Sequence, residues 1–323
     1  MLQGPSPILV IGALNIDILG VGVPSIVGPG ELSFGGDIRF AAGGKARNIA
    51  QMIAMHPHAQ VKILGKTGND PYGLWQIPIK ALKKSGVDTS FVLRDESHAP
   101  GIALIPVDVR GNNQIYVLPG ANDYFLPDDI IRSAKMFEDI AVQKGFVILS
   151  LEIPLSTALT VIETAKKMDI KLLVDPGGMK KNANYNPLLQ TGIFLLKPNI
   201  HEASYLSGIS IINENSVREA ARIIHEKGVE NVLITLGEKG AYLIGNDVEL
   251  QIPIPPPSLS PELQTDETGC GDQVMAVCAL LLSQGKTLEA SARAGIVAGS
   301  LQFAKIGVQP LSYTELKASI DID

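Results

Sequence analysis

The sequence predicts an α/β protein with one doubly wound, mostly parallel sheet, helices on both of its faces, and a small β-sheet lid. From about residue 140 onward, short apolar runs alternate with helical patterns. This alternation is typical of parallel strands joined by crossover helices. Two other segments, at about 16–40 and 100–120, contain period-two apolar patterns with Gly and Pro but no helical pattern. Such segments favour a second, smaller sheet.

Each element of the main sheet has its own signal. Apolar runs predict strands, in order, at ILVIGA (8–13), VKILGKTG (61–68), FVILS (146–150), KLLVD (171–175), FLLKPN (194–199) and NVLITLG (231–237). Helical patterns cover 155–168 and 215–227. Because 46% of the residues are hydrophobic, the chain can bury one large core, and we expect residues 1–323 to form a single domain.

The lid strands are predicted from the stretches ELSFGGDIRF, GIALIPVD and NQIYVLP. Their alternation leaves an apolar face and open strand edges, which need a substrate or a second copy of the lid as a partner. We therefore expect a homodimer that forms through the lid.

Charge and cysteine content exclude several classes of function. The net charge is −6 at pH 7 and the 27 Lys and Arg residues are scattered, so nothing indicates binding to nucleic acid or acidic lipid. Cys270 and Cys278 form no CxxC pair, which disfavours a disulfide framework or a zinc site and indicates a reducing compartment. The apolar N-terminal stretch is interrupted by Asp17 and by glycines, unlike a signal peptide or a membrane span. We expect a cytoplasmic protein that acts on a small molecule.

The stretch TDETGCGDQVMAVCALLL (265–282) joins a glycine-rich turn to a helix that begins near Gly271. The amides of Gly269, Cys270 and Gly271 would point forward at the positive end of the helix dipole, where a phosphate can bind. Asp272 stands beside them, close enough to take a proton from a hydroxyl that is being phosphorylated. A simple preference of Asp for a helix N-terminus is the alternative.

A second glycine turn leads into a helix in AAGGKARNIAQMIA (41–54). Gly43 and Gly44 let a ligand approach the backbone, while Lys45 and Asn48 offer donors on the first helical turn. A purely structural turn is the alternative.

Polar residues follow two of the predicted strands. In GALNID, Asn15 and Asp17 lie two residues apart near the end of the first strand, so both side chains emerge on one face at the carboxyl edge of the sheet. Open α/β sheets bind ligands at that edge, and this pair can hold adjacent hydroxyls of a sugar. Glu152 directly follows FVILS and supports the same argument. A turn-forming Asn and a capping Asp are the alternative.

Two later motifs suit a nucleotide. KPNIHEA (197–203) places Asn199 and Glu202 at helical spacing, which can hold a hydrated Mg²⁺ and phosphate oxygens but is also an ordinary helix start. TLGEKG (235–240) is a strand followed by a glycine turn, usable for nucleotide phosphates or for a hairpin. Neither GxxxxGK[ST] nor a well-placed GxGxxG occurs, which disfavours a P-loop enzyme and a dinucleotide dehydrogenase.

Taken together and in order, eight motifs resemble the ribokinase-like carbohydrate kinases, also called the PfkB family: GALNID, GGKARN, PGAND, LEIP, KPNIHEA, TLGEKG, DETGCGD and KIGVQP. The resemblance covers nearly the whole chain. It implies a Rossmann-like central domain with a β-sheet lid, and ATP-dependent transfer of a phosphoryl group to a sugar hydroxyl.

The resemblance also implies a role for each candidate residue. Asp272 would be the general base, and the amides of Gly269, Cys270 and Gly271 the anion hole. Sugar contacts would come from Asn15, Asp17, Gly43, Gly44, Lys45, Asn48 and Glu152. Nucleotide contacts would come from Asn199, Thr235, Gly237, Glu238, Gly240 and Gly271. Glu202 would bind Mg²⁺ through water.

Two residues depart from the family pattern. Glu267 stands where the family usually has a small residue, and Leu311 where a hydroxyl residue is often found. Both lie in the region where relatives bind an activating monovalent cation, for which Asp266 and Thr268 are the candidate ligands here. We expect modest stimulation by K⁺.

The motifs differ in which substrate they favour. RNIAQ is more similar to pseudouridine and nucleoside kinases, whereas PGAND, LEIP and GVQP are more similar to ribokinase. A ribokinase-like sugar kinase is the leading hypothesis, and a nucleoside or pseudouridine kinase is the alternative. A sugar-binding sensor without catalysis is a third hypothesis. The intact Asp272 and its glycine turn argue against the sensor, since a sensor needs neither.

Overall fold

The computed structural model describes residues 5–190, 192–254 and 266–322. It has the predicted architecture, with a nine-stranded, mostly parallel sheet, surrounding helices and a separate four-stranded lid. The strands are β1 Ile8–Ile11, β2 Asn15–Val23, β3 Asp37–Gly43, β4 Val61–Thr67, β5 Val92–Arg94, β6 Gly101–Asp108, β7 Tyr116–Leu118, β8 Phe146–Ser150, β9 Lys171–Asp175, β10 Leu195–Leu196, β11 Asn231–Thr235, β12 Ala241–Gly245 and β13 Val248–Ile252.

The α-helices lie between these strands and after the last one. They are α1 Lys45–Ile53, α2 Gln76–Lys84, α3 Pro127–Arg132, α4 Ala134–Val142, α5 Leu155–Lys167, α6 Asn186–Leu189, α7 Ile200–Ser207, α8 Glu214–Glu226, α9 Cys270–Ser283, α10 Leu288–Phe303 and α11 Tyr313–Ser319. Short 3₁₀ turns cover Gly120–Tyr124 and Gly237–Lys239. Within the described ranges, no helix combines the length and apolar character that a membrane crossing requires.

The order of the main sheet is β13-β12-β11-β10-β9-β8-β1-β4-β5. β1 pairs in parallel with both β4 and β8, so the direction of winding reverses at β1. In doubly wound sheets the ligand crevice lies outside the carboxyl ends of the strands at such a reversal. β12 and β13 are antiparallel additions after β11, so the glycine turn at 235–240 closes a hairpin in this chain.

The core lies on both faces of the sheet. On β1, Leu9 and Ile11 belong to one buried cluster and Ile8 and Val10 to the other, as expected for a strand that is covered on both sides. The first cluster packs against helices α3 to α8, and the second against α1, α2, α9 and α10. The second face therefore contains the two helices, α1 and α9, that follow the predicted ligand-binding turns.

The lid has the strand order β3-β2-β6-β7, in which only the β2–β6 pair is parallel. Its strands differ from the sequence prediction at the edges. Residues 31–36 of ELSFGGDIRF are outside any strand, while the strand that follows continues to Gly43. Glycines at 35 and 36, both with positive φ, interrupt the extended pattern.

Candidate active site

Asp272 lies in the first turn of α9 with only 3% of its surface exposed. Gly269 precedes the helix in a left-handed conformation, with φ 81°, which glycine adopts without steric cost. Of the three amides predicted for the anion hole, that of Cys270 donates to the Glu267 carbonyl at 3.2 Å. In this structure that amide therefore helps to close the turn.

Both carboxylate oxygens of Asp272 accept hydrogen bonds from α1. Lys45 Nζ lies 3.1 Å from Oδ1, and Asn48 Nδ2 lies 2.8 Å from Oδ2. Burial alone would lower the pKa of Lys45, but surrounding carboxylates, with Asp175 and Asp272 foremost, raise it well above its usual value. The ammonium group is therefore charged, and it holds the Asp272 carboxylate in place.

Glu152 follows β8 and contacts the same helix start. Its Oε2 accepts a 2.7 Å hydrogen bond from the backbone amide of Lys45. Burial raises the pKa of Glu152 to about 7, against the opposing effect of Lys45. This carboxyl group therefore changes its charge near neutral pH.

The expectation that Asn15 and Asp17 emerge at the end of the first main-sheet strand is wrong. β1 ends at Ile11, and both residues belong to the first lid strand, β2. The bend at Gly12, whose φ is 153°, takes the chain out of the main sheet before the two residues are reached. Alternation along β2 still puts both on one face.

The two lid residues have different surroundings. Asn15 is buried, and its Oδ1 accepts a 2.8 Å hydrogen bond from Asn122 Nδ2. Asp17 lies against Gly43, where a Cβ atom would overlap its carboxylate. Burial raises the pKa of Asp17, and the nearby guanidinium of Arg47 partly offsets this effect. A side chain at position 43 would therefore displace the Asp17 carboxylate of the neighbouring strand.

Gly44 is the residue that connects the lid to α1. Its φ is 92°, and a Cβ atom there would lie 2.5 Å from the Ala13 carbonyl oxygen. Both the positive φ and the lack of room for a Cβ atom exclude a larger residue. The structure therefore brings together the predicted residues of this half of the site: Asn15, Asp17, Gly43, Gly44, Lys45, Asn48, Glu152 and Asp272.

The residues predicted to bind nucleotide lie at the ends of neighbouring strands. Asn199 caps α7: its Oδ1 accepts from the Glu202 amide, and Glu202 Oε2 accepts from the Asn199 amide, both at 2.9 Å. Thr235 pairs with Asn199 through an isolated parallel bridge. The turn at 237–240 is exposed up to Gly240, which is buried with φ 82°. The KPNIHEA motif thus forms a helix start and the TLGEKG motif forms a hairpin, as their structural alternatives predicted. Both motifs still lie at the same edge of the main sheet.

The predicted cation loop is held by hydrogen bonds within the protein. Asp266 Oδ1 accepts from the amide and hydroxyl of Thr268 at 2.8 and 2.6 Å, and Oδ2 accepts from the Gly307 amide at 2.7 Å. Burial opposes these bonds, but together they lower the pKa of Asp266. Glu267 is exposed, and Leu311 is buried in a small core cluster.

Sequence reasoning missed several charged or polar residues of the site. Asp175, at the end of β9, lies 3.0 Å from Lys197 Nζ and 3.8 Å from Lys45 Nζ. Burial raises the pKa of Asp175, but the two lysines and an amide donor lower it to about 2. Arg47 is also buried and donates to the backbone of β3. The available signal was a charged residue directly after an apolar strand, as in KLLVD and FLLK.

Comparisons with known proteins show the family to which this chain belongs. The model of the pfkB family of carbohydrate kinases matches residues 6–315. The ribokinase of Bacillus subtilis is 32% identical over 310 residues, which cover 94% of each chain. The deoxyribokinase of Salmonella typhi is 28% identical over 302 residues, also 94% of each chain. The structure of Arabidopsis thaliana ribokinase complexed with ribose and ATP matches with a TM-score of 0.84, at 28% identity and covering 98% of each chain.

The sheet order, the lid and the match to solved ribokinases define a small-molecule kinase with a ribokinase-like fold. The chain belongs to the pfkB family of carbohydrate kinases. It is therefore a phosphotransferase with an alcohol group as acceptor, and the resemblance drawn from the eight motifs is confirmed.

Proposed function

We propose that this chain transfers the γ-phosphoryl group of ATP to a hydroxyl of a sugar, as a ribokinase-like kinase built on one domain. One observation supports this most strongly: Asp272 stands at the N-terminus of α9 while its carboxylate is held by Lys45 and Asn48. The same residue thus borders both an anion site and a set of polar groups suited to a sugar. The relatives named ribokinase and deoxyribokinase support a pentose as the acceptor.

The proposed chemical step needs little from the protein beyond position and charge. The acceptor oxygen attacks the γ-phosphorus, the bond from that phosphorus to the bridging oxygen breaks, and ADP leaves. The proton of the acceptor hydroxyl passes to the Asp272 carboxylate. Lys45 and Asn48 orient the carboxylate, and the amides at the start of α9 stabilise the charge on the transferred group.

Mg²⁺ would be held near the start of α7. Burial raises the pKa of Glu202, and the negative charge of the neighbouring Asp175 raises it further, so two carboxyl groups lie near each other here. Such a pair fits a hard, hydrated cation, and Glu202 and Asn199 are the residues we assign to its hydration shell. When bound, the ion would neutralise charge on the donor phosphates.

We also propose a homodimer through the lid. A row of apolar and aromatic side chains crosses the four lid strands on the face opposite Asp17. Its members are Phe40, Ile18, Leu104 and Tyr116. Phe40, Leu104 and Tyr116 are 49%, 37% and 55% exposed. Such a row is typical of a surface that a second copy covers.

Light scattering at micromolar concentration tests the dimer. We expect a dimer for the wild-type chain and a monomer for Phe40→Asp. Ile212→Asp is the matched control, because Ile212 is 83% exposed outside the lid. A wild-type monomer, or equal effects of the two substitutions, contradicts dimerisation through the lid.

An ATP-consumption assay across pentoses, deoxypentoses, hexoses and nucleosides tests the activity. We expect turnover with a free sugar, and loss of that turnover in Asp272→Asn. Turnover of a nucleoside without turnover of any free sugar favours the nucleoside kinase. Stabilisation by a sugar without any turnover favours the sensor.

A further inference from the structure

Asn122 is a buried residue at the base of the lid that has no role in the chemical step described above. It belongs to the 3₁₀ turn Gly120–Tyr124, where the chain leaves the lid after β7, and only 1% of its surface is exposed. Buried polar side chains are almost always hydrogen-bonded. The partners of Asn122 therefore indicate what it positions.

Two backbone groups fix the orientation of the Asn122 amide. Its Oδ1 accepts a 3.1 Å hydrogen bond from the Leu14 amide, and its Nδ2 donates to the Pro119 carbonyl at 3.0 Å. Because a backbone N–H can only donate and a carbonyl oxygen can only accept, the two ends of the side-chain amide cannot be exchanged. Asn122 therefore presents a donor to its remaining neighbour.

That neighbour is Asn15, the first residue of β2. The atom of Asn15 that lies 2.8 Å from Asn122 Nδ2 must be its oxygen, because it receives a hydrogen bond. Asn15 is only 4% exposed, yet its own NH₂ group has no hydrogen-bond partner among the residues that the structure describes, and this group is not sealed from solvent. A free donor thus remains on a buried side chain.

The strands on either side of Asn15 leave its amide little freedom to turn. Asn15 is paired with Gly43 of β3 and with Gly101 of β6. A Cβ atom on Gly101 would overlap both Asn15 Oδ1 and Asn122 Nδ2, so the backbone of β6 closes over the hydrogen bond between them. Asn15 shares its face of the lid with Asp17. The lid therefore offers a donor beside a carboxylate, which can only accept.

We propose that Asn122 is a positioning residue for acceptor specificity, because it turns the Asn15 amide so that its NH₂ group donates to the acceptor. This inference deepens the proposed function and rests on it. The acceptor must then place an oxygen that accepts a hydrogen bond at Asn15, next to a hydroxyl that donates to Asp17. Adjacent hydroxyls of a sugar satisfy both, whereas a deoxy position that faces Asn15 leaves the buried NH₂ group unpaired.

Sugar kinetics with Asn122→Asp test this role. The variant keeps the shape of the side chain and an acceptor for the Leu14 amide but removes the donor, so the Asn15 amide should turn and present its oxygen to the acceptor. With D-ribose at pH 8, we expect KM to rise at least about tenfold while kcat stays within about threefold.

The 1-, 2- and 3-deoxy analogues of D-ribose show whether one oxygen of the sugar carries the effect. Wild type should discriminate by kcat/KM at least about tenfold against one or more of them. Asn122→Asp should lower one of these ratios about tenfold, because it loses affinity only for sugars that have the oxygen facing Asn15. If another sugar is the better acceptor, its own deoxy analogues replace those of ribose.

Asn231→Asp is the matched control. Asn231 is 9% exposed at the first residue of β11, the end of that strand opposite the ligand crevice, and its Nδ2 donates to the Phe194 carbonyl at 2.8 Å. This variant loses a buried amide donor of the same kind away from the acceptor half, so we expect lower stability with unchanged KM and unchanged ratios.

Two results overturn the proposal and leave Asn122 as a structural link at the base of the lid. One is an equal rise of KM in Asn122→Asp and Asn231→Asp, and the other is a set of unchanged ratios in Asn122→Asp. If Asn122→Asp lowers the folded fraction, Asn15→Asp is measured in the same way, because it replaces the free donor by an acceptor and keeps the hydrogen bond from Asn122. An unchanged KM in that variant also overturns the proposal.

This proposal and the sugar kinase fail in different ways. NMR of the chain with ¹⁵N-labelled Asn reports on both side-chain amides without an acceptor, and the two Asp variants assign their signals. We expect slow solvent exchange for the Asn122 NH₂ group and fast exchange for that of Asn15. The reverse order overturns the orientation even if ribose is phosphorylated. If wild type phosphorylates no sugar, the sugar kinase is wrong, while the exchange rates still decide whether Asn122 presents the Asn15 donor.

Discussion

The acceptor half and the donor half of the candidate site are built by different means. The acceptor half consists of buried side chains around Asp272, with Asn15 and Asn48 only 4% and 7% exposed. The donor half consists of a helix cap at Asn199 and the exposed turn that begins at Gly237. Side chains define the first half, and backbone conformation defines the second.

This difference has a consequence for specificity. A buried site that hydrogen-bonds its ligand rejects a molecule that lacks the matching group, because its own polar atoms are then left unpaired. An exposed turn offers amides that tolerate most side-chain changes. We therefore expect conservative side-chain substitutions to have large effects in the acceptor half, and only changes of backbone conformation to matter in the donor half.

Asp272→Asn should show the largest effect. The amide keeps the size of the side chain and can still accept a hydrogen bond from Lys45, but it is a far weaker base. We expect turnover to fall at least about 10²-fold, the scale of a lost general base. Acceptor affinity should stay within about tenfold, as measured by calorimetry without nucleotide.

Near-normal turnover of this variant, with intact folding by circular dichroism, would reduce Asp272 to a residue that favours the helix N-terminus. The acceptor half would then contain buried polar groups but no base.

Glu152→Gln tests whether acceptor binding depends on a charged hydrogen bond. The Gln carbonyl can still accept from the Lys45 amide, so the local backbone is kept. Loss of a charged acceptor is worth about 1.5 kcal/mol, and we expect the acceptor KM to rise about tenfold. Steady-state kinetics at pH 8 provide the measurement. An unchanged KM would remove Glu152 from the acceptor contacts.

The raised pKa of Glu152 predicts how the stability of the fold depends on pH. The folded state raises the pKa of Glu152 from 4.5 to about 7, so the folded chain binds a proton more readily than the unfolded chain. The contribution of this group to stability is therefore highest below about pH 4.5 and is lost as the pH rises through about 7. Between pH 6 and 8 the free energy of unfolding should fall by about 1 kcal/mol more in wild type than in Glu152→Gln. Urea unfolding of both chains at the two pH values measures this, and parallel slopes would contradict it.

The sequence predicted the main sheet well because its strands are apolar runs buried on both faces. FVILS and KLLVD correspond to β8 and β9 at both ends. The error at Asn15 and Asp17 has a physical origin, because the strand pattern continues across Gly12 while the chain direction changes there. Periodicity reports which side chains share a face, but it does not report which sheet the strand joins.

The site was predicted where glycine turns or polar pairs mark it and missed where long-range pairing creates it. Asp175 and Lys197 are 22 residues apart in the numbering and meet only because β9 and β10 are neighbours. The charged residue after the apolar run in FLLK is a local signal, but it does not separate a buried lysine from an exposed one. Its importance depends on a carboxylate contributed by another strand.

Gly240→Ala should have an intermediate effect and tests the donor half. Its φ is 82°, and a Cβ atom there would overlap the Ile252 carbonyl oxygen, so the turn must change its shape. We expect the KM for ATP to rise several-fold and the free energy of unfolding to fall by about 1–3 kcal/mol, the usual cost of such backbone strain. Glu238→Ala is the matched control. Glu238 is exposed in the same turn, and if this residue contacts the nucleotide through its backbone, removal of its side chain should change the KM less than about twofold. A larger effect of Glu238→Ala than of Gly240→Ala would contradict the distinction between side-chain and backbone recognition.

The smallest expected effect concerns K⁺, at the loop that adjoins both halves. Asp266 is already bonded to Thr268 and to the Gly307 amide, and Gln302 Nε2 donates to the Gly307 carbonyl at 3.0 Å. These bonds order the turn before the proposed anion hole, which is the task that the family resemblance assigns to a monovalent cation.

Leu311 removes a possible oxygen ligand, and the exposed Glu267 leaves the remaining ligands unchanged. A site with fewer ligands and a loop that is already ordered should depend weakly on the ion, so we expect K⁺ to stimulate turnover by no more than about threefold, or about 0.6 kcal/mol. The measurement replaces Na⁺ and K⁺ with tetramethylammonium at constant ionic strength and fixed Mg²⁺ and ATP. Unchanged turnover would mean that the protein's own hydrogen bonds are sufficient. Stimulation above about tenfold would mean that the ion is needed to present the Gly269 and Gly271 amides to the phosphoryl group.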